Sequence, residues 1–276
     1  MTQEGPGGAA NPAAPGEPST AAETSYQVTG LTKTFPGIVA LDDVSMEVRK
    51  GEIYGIVGKN GAGKSVLMNV IAGLLPATSG EIRILGEAVD MRRYNRPKAH
   101  EMGVALVPQE PTWAPEMTVR SNLFLGSDLT HRFGIIDVPR FLKTVDEVME
   151  RVGIRARPDG RIKHLPIEDQ QMLAFGKALY IEHARVILLD EITATLPRER
   201  KISFLEFLRA EVERSPELSF TLISHHIDEI MEFCDRVTVM RDGKAIGPLV
   251  VKETSKAELA DLITGGVAIT MGGGTR

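Results

Sequence analysis

The chain has 276 residues, 42% of them apolar and 25% charged, the make-up of an ordinary globular protein with a sizeable core. A formal net charge of -5 gives no basic footprint, so no nucleic-acid partner is expected, and the single Cys234 excludes an intrachain disulfide and reads as a small buried residue. No apolar run approaches the roughly 18–20 residues that a membrane-crossing helix needs, so membrane contact is expected to run through a partner.

Residues 1–25 are dense in Ala, Gly, Pro, Glu and Thr and lack the aliphatic and aromatic residues of a core. They also lack the basic and apolar regions of a secretory signal, and read as a disordered leader. Short β-prone runs follow at 26–31, 40–48 and 53–57, and again at 81–85 and 104–107. Together they predict an early, partly antiparallel sheet.

Within that region lies the most informative stretch of the chain, Gly58-Lys59-Asn60-Gly61-Ala62-Gly63-Lys64-Ser65, between the strand at 53–57 and an apolar helix at 66–73. Strand, glycine-rich loop and helix in that order form a phosphate-binding loop. Glycines allow backbone N–H groups to turn toward phosphate oxygens, and the helix N-terminus adds partial positive charge. Lys64 is placed to reach the β- and γ-phosphates and Ser65 to ligate Mg2+ through its hydroxyl. The alternative is a glycine-rich turn with no ligand.

Between 119 and 184 the pattern turns helical. Phe141, Leu142, Val145, Val148, Met149 and Val152 recur at helical spacing, as do Met172, Leu173, Phe175, Ala178 and Leu179. This predicts a helical subdomain, at about 110–184, inserted between two β-rich halves. Apolar runs at 186–189, 220–223 and 237–240 then alternate with helical segments, as a mainly parallel sheet covered on both faces requires. Ser255 and Glu258 form a capping-box pattern before Leu259, Leu262 and Ile263, with Gly265 and Gly266 as the helix stop and 266–276 as a flexible tail.

The strand at 186–189 runs directly into Asp190-Glu191. Alone, two carboxylates at a strand end serve equally well as caps. Beside a phosphate loop they read as a site in which Asp190 holds Mg2+, through water, and Glu191 orients the water that attacks a γ-phosphate.

With these motifs in this order the chain resembles an ATP-binding cassette (ABC) ATPase from residue 26 to about 265. The fold implied is α/β, a phosphate-loop core with a mainly parallel sheet, an antiparallel β subdomain and the helical insertion. The resemblance implies ATP and Mg2+ as cofactors. It places Phe35, before Pro36-Gly37, against adenine, the alternative being a core or surface ring. It gives Gln109, in Val107-Pro108-Gln109-Glu110, a role in sensing Mg2+ and γ-phosphate, the alternative being a polar turn. It makes His225, in Ser224-His225-His226, a γ-phosphate donor, where a lone histidine would be a solvated loop residue.

The segments Thr34-Phe35-Pro36-Gly37-Ile38-Val39-Ala40-Leu41, Asp169-Gln170-Gln171-Met172 and His226-Ile227-Asp228-Glu229-Ile230 look like the N-terminal cassette of bacterial ribose and sugar importer ATPases. The partners this implies are transmembrane permease subunits, a second cassette and, indirectly, a solute-binding protein, at the cytoplasmic face of the cell membrane. A regulatory cassette with little turnover and a soluble ABC protein of translation or DNA repair are the alternatives.

Three departures from the family pattern stand out. The signature that begins Leu-Ser and continues to a glycine reads Leu165-Pro166-Ile167-Glu168-Asp169, which loses a hydroxyl and sets a carboxylate where the other cassette's ATP would lie. A second cassette of a different chain, with an intact signature, is therefore expected. Ile192 replaces a proline, and Ala194-Thr195-Leu196-Pro197 lacks a closing aspartate. Val66 replaces a threonine beside Ser65, removing a hydrogen bond of on the order of 1 kcal/mol.

Overall fold

In the computed structural model, which describes residues 24–126 and 138–265, the β-prone runs sort into two sheets. Strands β1 (Thr24–Phe35) and β2 (Ile38–Arg49) form a hairpin around Pro36-Gly37, where Gly37 takes a φ of 78°. Proline followed by a positive-φ glycine is the residue order such a tight turn needs. With β4 (Ser79–Ile84) and β5 (Glu87–Ala88) they make an antiparallel sheet of order β2-β1-β4-β5.

The second sheet contains β3 (Ile53–Val57), β6 (Val104–Val107), β7 (Val186–Asp190), β8 (Ser219–Ile223), β9 (Arg236–Arg241) and β10 (Lys244–Val250). Its order is β10-β9-β3-β8-β7-β6, parallel except for the β10–β9 pair. The runs at 53–57 and 104–107 thus leave the early antiparallel sheet expected for them and enter the parallel one. Their sequences already fit that role, since all five residues of β3 are buried, as a central strand covered on both faces demands. Alternation then feeds two cores. Ile187 and Leu189 point to one cluster, Val186 and Leu188 to the other.

The core between the sheets is filled by Tyr26, Val28, Leu41, Tyr54 and Ile56, together with Leu67, Met68 and Ile71 of α1 (Lys64–Ile71). After it come the short helices α2 (Arg96–Glu101) and α3 (Val119–Phe124). Helix α4 (Val138–Arg151) turns Phe141, Val145, Val148 and Met149 inward, the face its periodicity marks. Helix α5 (Ile167–Gly176) runs on into a π-helical turn over Lys177–Ile181. A Cβ at Gly176 would lie 2.8 Å from Val148, so α4 and α5 approach this closely only because that residue is glycine.

Helices α6 (Arg198–Arg214), α7 (Ile227–Phe233) and α8 (Lys256–Thr264) cover the outer face of the parallel sheet. Ser255 Oγ accepts from Glu258 N at 3.1 Å, and Gly265 ends α8 at a φ of 88°. The antiparallel edge strand β10 has no counterpart among the expected elements. At the other end, β1 takes in the last two residues expected for the leader, and the buried Ser25 Oγ meets Ser219 Oγ at 2.5 Å. The rest of the leader (1–23) and the tail (266–276) lie outside the described residues.

Phe175 joins the helical region to the sheet. It is fully buried and meets the rings of Phe204, Phe207 and Phe220 at 5.1, 5.9 and 5.9 Å. Phe175→Ala is expected to cost about 3–5 kcal/mol, through lost transfer energy and the cavity left behind. Urea unfolding of the full chain measures it.

Candidate active site

The ends of β3, β7 and β8 are neighbours in the parallel sheet, so the loops that leave them converge. From β3 comes the glycine-rich loop expected to bind phosphate. Gly58, Gly61 and Gly63 take φ of 157°, 81° and 99°, and a Cβ at Gly58 or Gly63 would stand 2.2 Å from Met240 O or 2.5 Å from Ala40 O. The backbone therefore packs against β9 and the β2 hairpin where only glycine fits. Lys59, Asn60 and Gly61 are exposed on the loop's outer edge, while Ala62 is buried.

Lys64 opens α1 and is 94% buried, its Nζ donating to Gly58 O at 2.9 Å and Lys59 O at 3.1 Å. Burial lowers its pKa, partly countered by Glu191 and Asp190. Ser65 is exposed, and its Oγ stands 3.4 Å from Asp190 Oδ1. Burial raises the Asp190 pKa, the Ser65 hydroxyl lowers it and Glu191 raises it further. Lys64 also lowers it, but not enough to offset burial, and a desolvated carboxylate of this kind is suited to a cation. Val66 is half-buried against the core, offering the site no hydrogen bond.

Glu191 holds a left-handed φ of 50°, and its Oε2 is 3.7 Å from Nδ1 of His225, which follows β8. Lys64, Ser65, Asp190, Glu191 and His225 are thus brought together. Phe35 and Gln109 stand apart from that cluster, with no direct hydrogen bond to it among the described residues. Phe35 is 39% exposed at the end of β1, with Lys33 Nζ 5.0 Å above the ring. Gln109 is exposed just past β6.

Two buried side chains, which the sequence places in family-like segments without giving them a role, tie these loops together. Gln171, fully buried on α5, donates Nε2 to Gln109 O at 2.5 Å and accepts from Thr195 Oγ1, so it links the loops after β6 and β7. Glu229 on α7 receives Thr193, Ser224 and Lys201. The available signal was a polar residue on an otherwise apolar helix face, Gln171 beside Met172 and Phe175.

The donor set fits a nucleotide phosphate with a hard cation. A glycine cradle, a buried lysine and a hydroxyl facing a carboxylate match phosphate oxygens and Mg2+. Among the described residues no group of three or more His, Cys, Asp or Glu is placed to hold a metal by itself. A cation here would share phosphate oxygens, as Mg2+ at nucleotide sites does.

The signature segment forms the start of α5. Pro166 is its N-cap residue and supplies no side-chain cap, while Ile167 is exposed and Glu168 half-buried. Asp169 Oδ1 is drawn to Arg200 Nη2 on α6 at 2.6 Å. Between α2 and the π turn runs a groove lined by Leu74, Pro111 and Trp113, crossed by His100 and Glu182 at 4.0 Å. Trp113 is half-buried, and its buried Nε1 has no hydrogen-bond partner among the described residues.

Among known proteins, residues 41–194 match the ABC transporter family profile. The chain is 38% identical to ribose import ATP-binding protein RbsA 1 of Burkholderia thailandensis over 88% of this chain and 47% of that protein. It is equally identical to RbsA 3 of Rubrobacter xylanophilus, over 88% and 48%. The chain thus spans about half the length of the curated relatives it matches. By structure it is similar to CbiO1 from Clostridium perfringens, part of an ABC transporter complex, with a TM-score of 0.71 and 25% identity over 84% of this chain and 90% of that one. An ATP-binding cassette solved as a dimer with ADP and phosphate gives a TM-score of 0.74 at 22% identity, over 83% and 100%, a likeness of fold. By its matched profile and its fold, this chain belongs to the ABC transporter family.

Proposed function

We propose that this chain is the ATP-binding and hydrolysing subunit of a bacterial ABC importer for a sugar or related small solute. The observation that carries the proposal is the convergence of the Lys64 loop, the Ser65–Asp190 pair and the Glu191–His225 pair at one end of the sheet. The ribose-import names of the relatives support the substrate class.

In this reading the backbone from Gly58 to Gly63 and the Lys64 ammonium hold the phosphates, and Phe35 stacks on adenine. Mg2+, when bound, neutralises charge on the β- and γ-phosphates, and Ser65, Asp190 and Gln109 are the residues that hold or sense it. Glu191 orients the attacking water and draws its proton toward the carboxylate. His225, beside it, donates a hydrogen bond to the γ-phosphate.

The partners proposed are permease subunits docking at the Trp113 groove, a second cassette, and a solute-binding protein reached only indirectly. In this reading the chain attaches at the cytoplasmic face through the permease; no described helix is long and apolar enough to cross a membrane. The altered signature favours a second cassette of a different chain. In a homodimer, Glu168 would face the γ-phosphate of both ATP sites, and like charges there repel.

The test is to purify the assembly, count its cassettes and measure ATP turnover. Membrane subunits should copurify and ATP should be hydrolysed. In a forced homodimer, Pro166→Ser with Glu168→Gly should raise turnover at least about tenfold, equivalent to roughly 1.4 kcal/mol. Two identical cassettes, brisk hydrolysis and no gain from that change would remove the asymmetry.

A further inference from the structure

We propose that Glu229 is a positioning residue that fixes the Glu191 and His225 loops relative to each other; the inference rests on the hydrolytic reading above and adds a residue to it. Glu229 is the third residue of α7 and is 93% buried. Its Oε2 accepts from Thr193 Oγ1 at 2.7 Å, two residues after Glu191, and from Ser224 Oγ at 2.8 Å, next to His225. Its Oε1 accepts from Lys201 Nζ of α6 at 2.6 Å. One carboxylate therefore joins the loop after β7, the loop after β8 and two helices.

The chemistry of the group sets the direction of every bond. A carboxylate only accepts, so both hydroxyls must turn their hydrogens inward. With its proton so committed, Ser224 Oγ is left to accept from His226 N at 3.0 Å, which shapes the turn carrying His225. Burial opposes the charge, but Lys201, Thr193 and Ser224 together hold the Glu229 pKa below the ordinary range. Charge-assisted bonds of this kind are short and strong.

Geometry supplies the reason such a tether is needed. Glu191 keeps a left-handed φ of 50°, a conformation that a residue with a long side chain retains only when its surroundings over-determine it. Thr193 is the tether that follows it most closely. A role confined to an α6–α7 ion pair would need Lys201 alone and neither hydroxyl.

The decisive variant is Thr193→Val with Ser224→Ala, which removes both hydroxyl tethers and leaves the Glu229–Lys201 pair intact, with Thr193→Ser as the conservative control. Amide exchange and steady-state ATPase kinetics are measured on the full chain in its assembly. In the double variant, exchange at 191–196 and 224–227 should quicken at least about tenfold while β3 and α1 are unchanged. The kcat should fall about 10- to 100-fold with KM for ATP unchanged, as expected of misplaced rather than missing catalytic groups. Thr193→Ser should stay near wild type on both readouts. Unaltered exchange in the two loops, or a parallel rise in KM, would overturn the inference. A wild-type assembly that hydrolyses no ATP would instead overturn the functional reading, and exchange would still decide the tether.

Discussion

Replacing Lys64 by alanine is expected to raise the dissociation constant for ATP at least about 100-fold, a loss of roughly 2.8 kcal/mol. Lys64 is 94% buried and already bound to the carbonyls of Gly58 and Lys59, so its ammonium needs no search through rotamers to meet phosphate. Its hydrogen bonds to phosphate would be charge-assisted and partly desolvated, the strong class. No other cation is buried in the loop, because Lys59 is exposed and its Nζ lies 3.5 Å from Thr264 O on α8. Nucleotide titration by calorimetry measures the effect. An unchanged constant would remove Lys64 from the phosphate site. The fold should survive, since β3 and the apolar residues of α1 are untouched.

Glu191→Gln is expected to leave ATP affinity within about threefold of wild type and to lower kcat by roughly 100- to 10,000-fold, the range of a general base. The amide keeps the side chain's size and its place beside His225 but cannot draw a proton from water. ATP should then persist in the site and hold two cassettes together. Single-turnover hydrolysis and size-exclusion chromatography with ATP check both halves. Turnover at the wild-type rate in the full assembly would take Glu191 out of the proposed role. The two variants separate phosphate binding from water activation, and their opposite patterns are what the site's two ends predict.

The site was largely legible in the sequence because its parts are local. A glycine-rich loop between strand and helix has its own backbone requirements, and Gly58 and Gly63 meet them against Met240 and Ala40. A strand ending in Asp190-Glu191 and one ending before His225 needed only parallel pairing in one sheet to converge, and β7 and β8 are paired directly. Helix α4 was legible for the same reason, since its buried face follows from residue spacing alone.

What sequence could not decide was which strands pair. The run at 81–85 alternates charged and apolar residues and joins the antiparallel sheet, whereas 53–57 and 104–107 carry no charge and join the parallel one, but the order of strands within each sheet depends on the faces offered by distant strands. Nor could it give Gln171 and Glu229 a role. Their partners Gln109, Thr195, Thr193, Ser224 and Lys201 lie up to 62 residues away, and a buried polar side chain becomes meaningful only when folding shows which groups it satisfies. The chain's order of motifs determined the phosphate loop, the carboxylate pair and the family. The tertiary structure alone decided how the loops are tied, since hydrogen bonds between sequence-distant side chains are written in the packing of helices against the sheet and not in any local pattern.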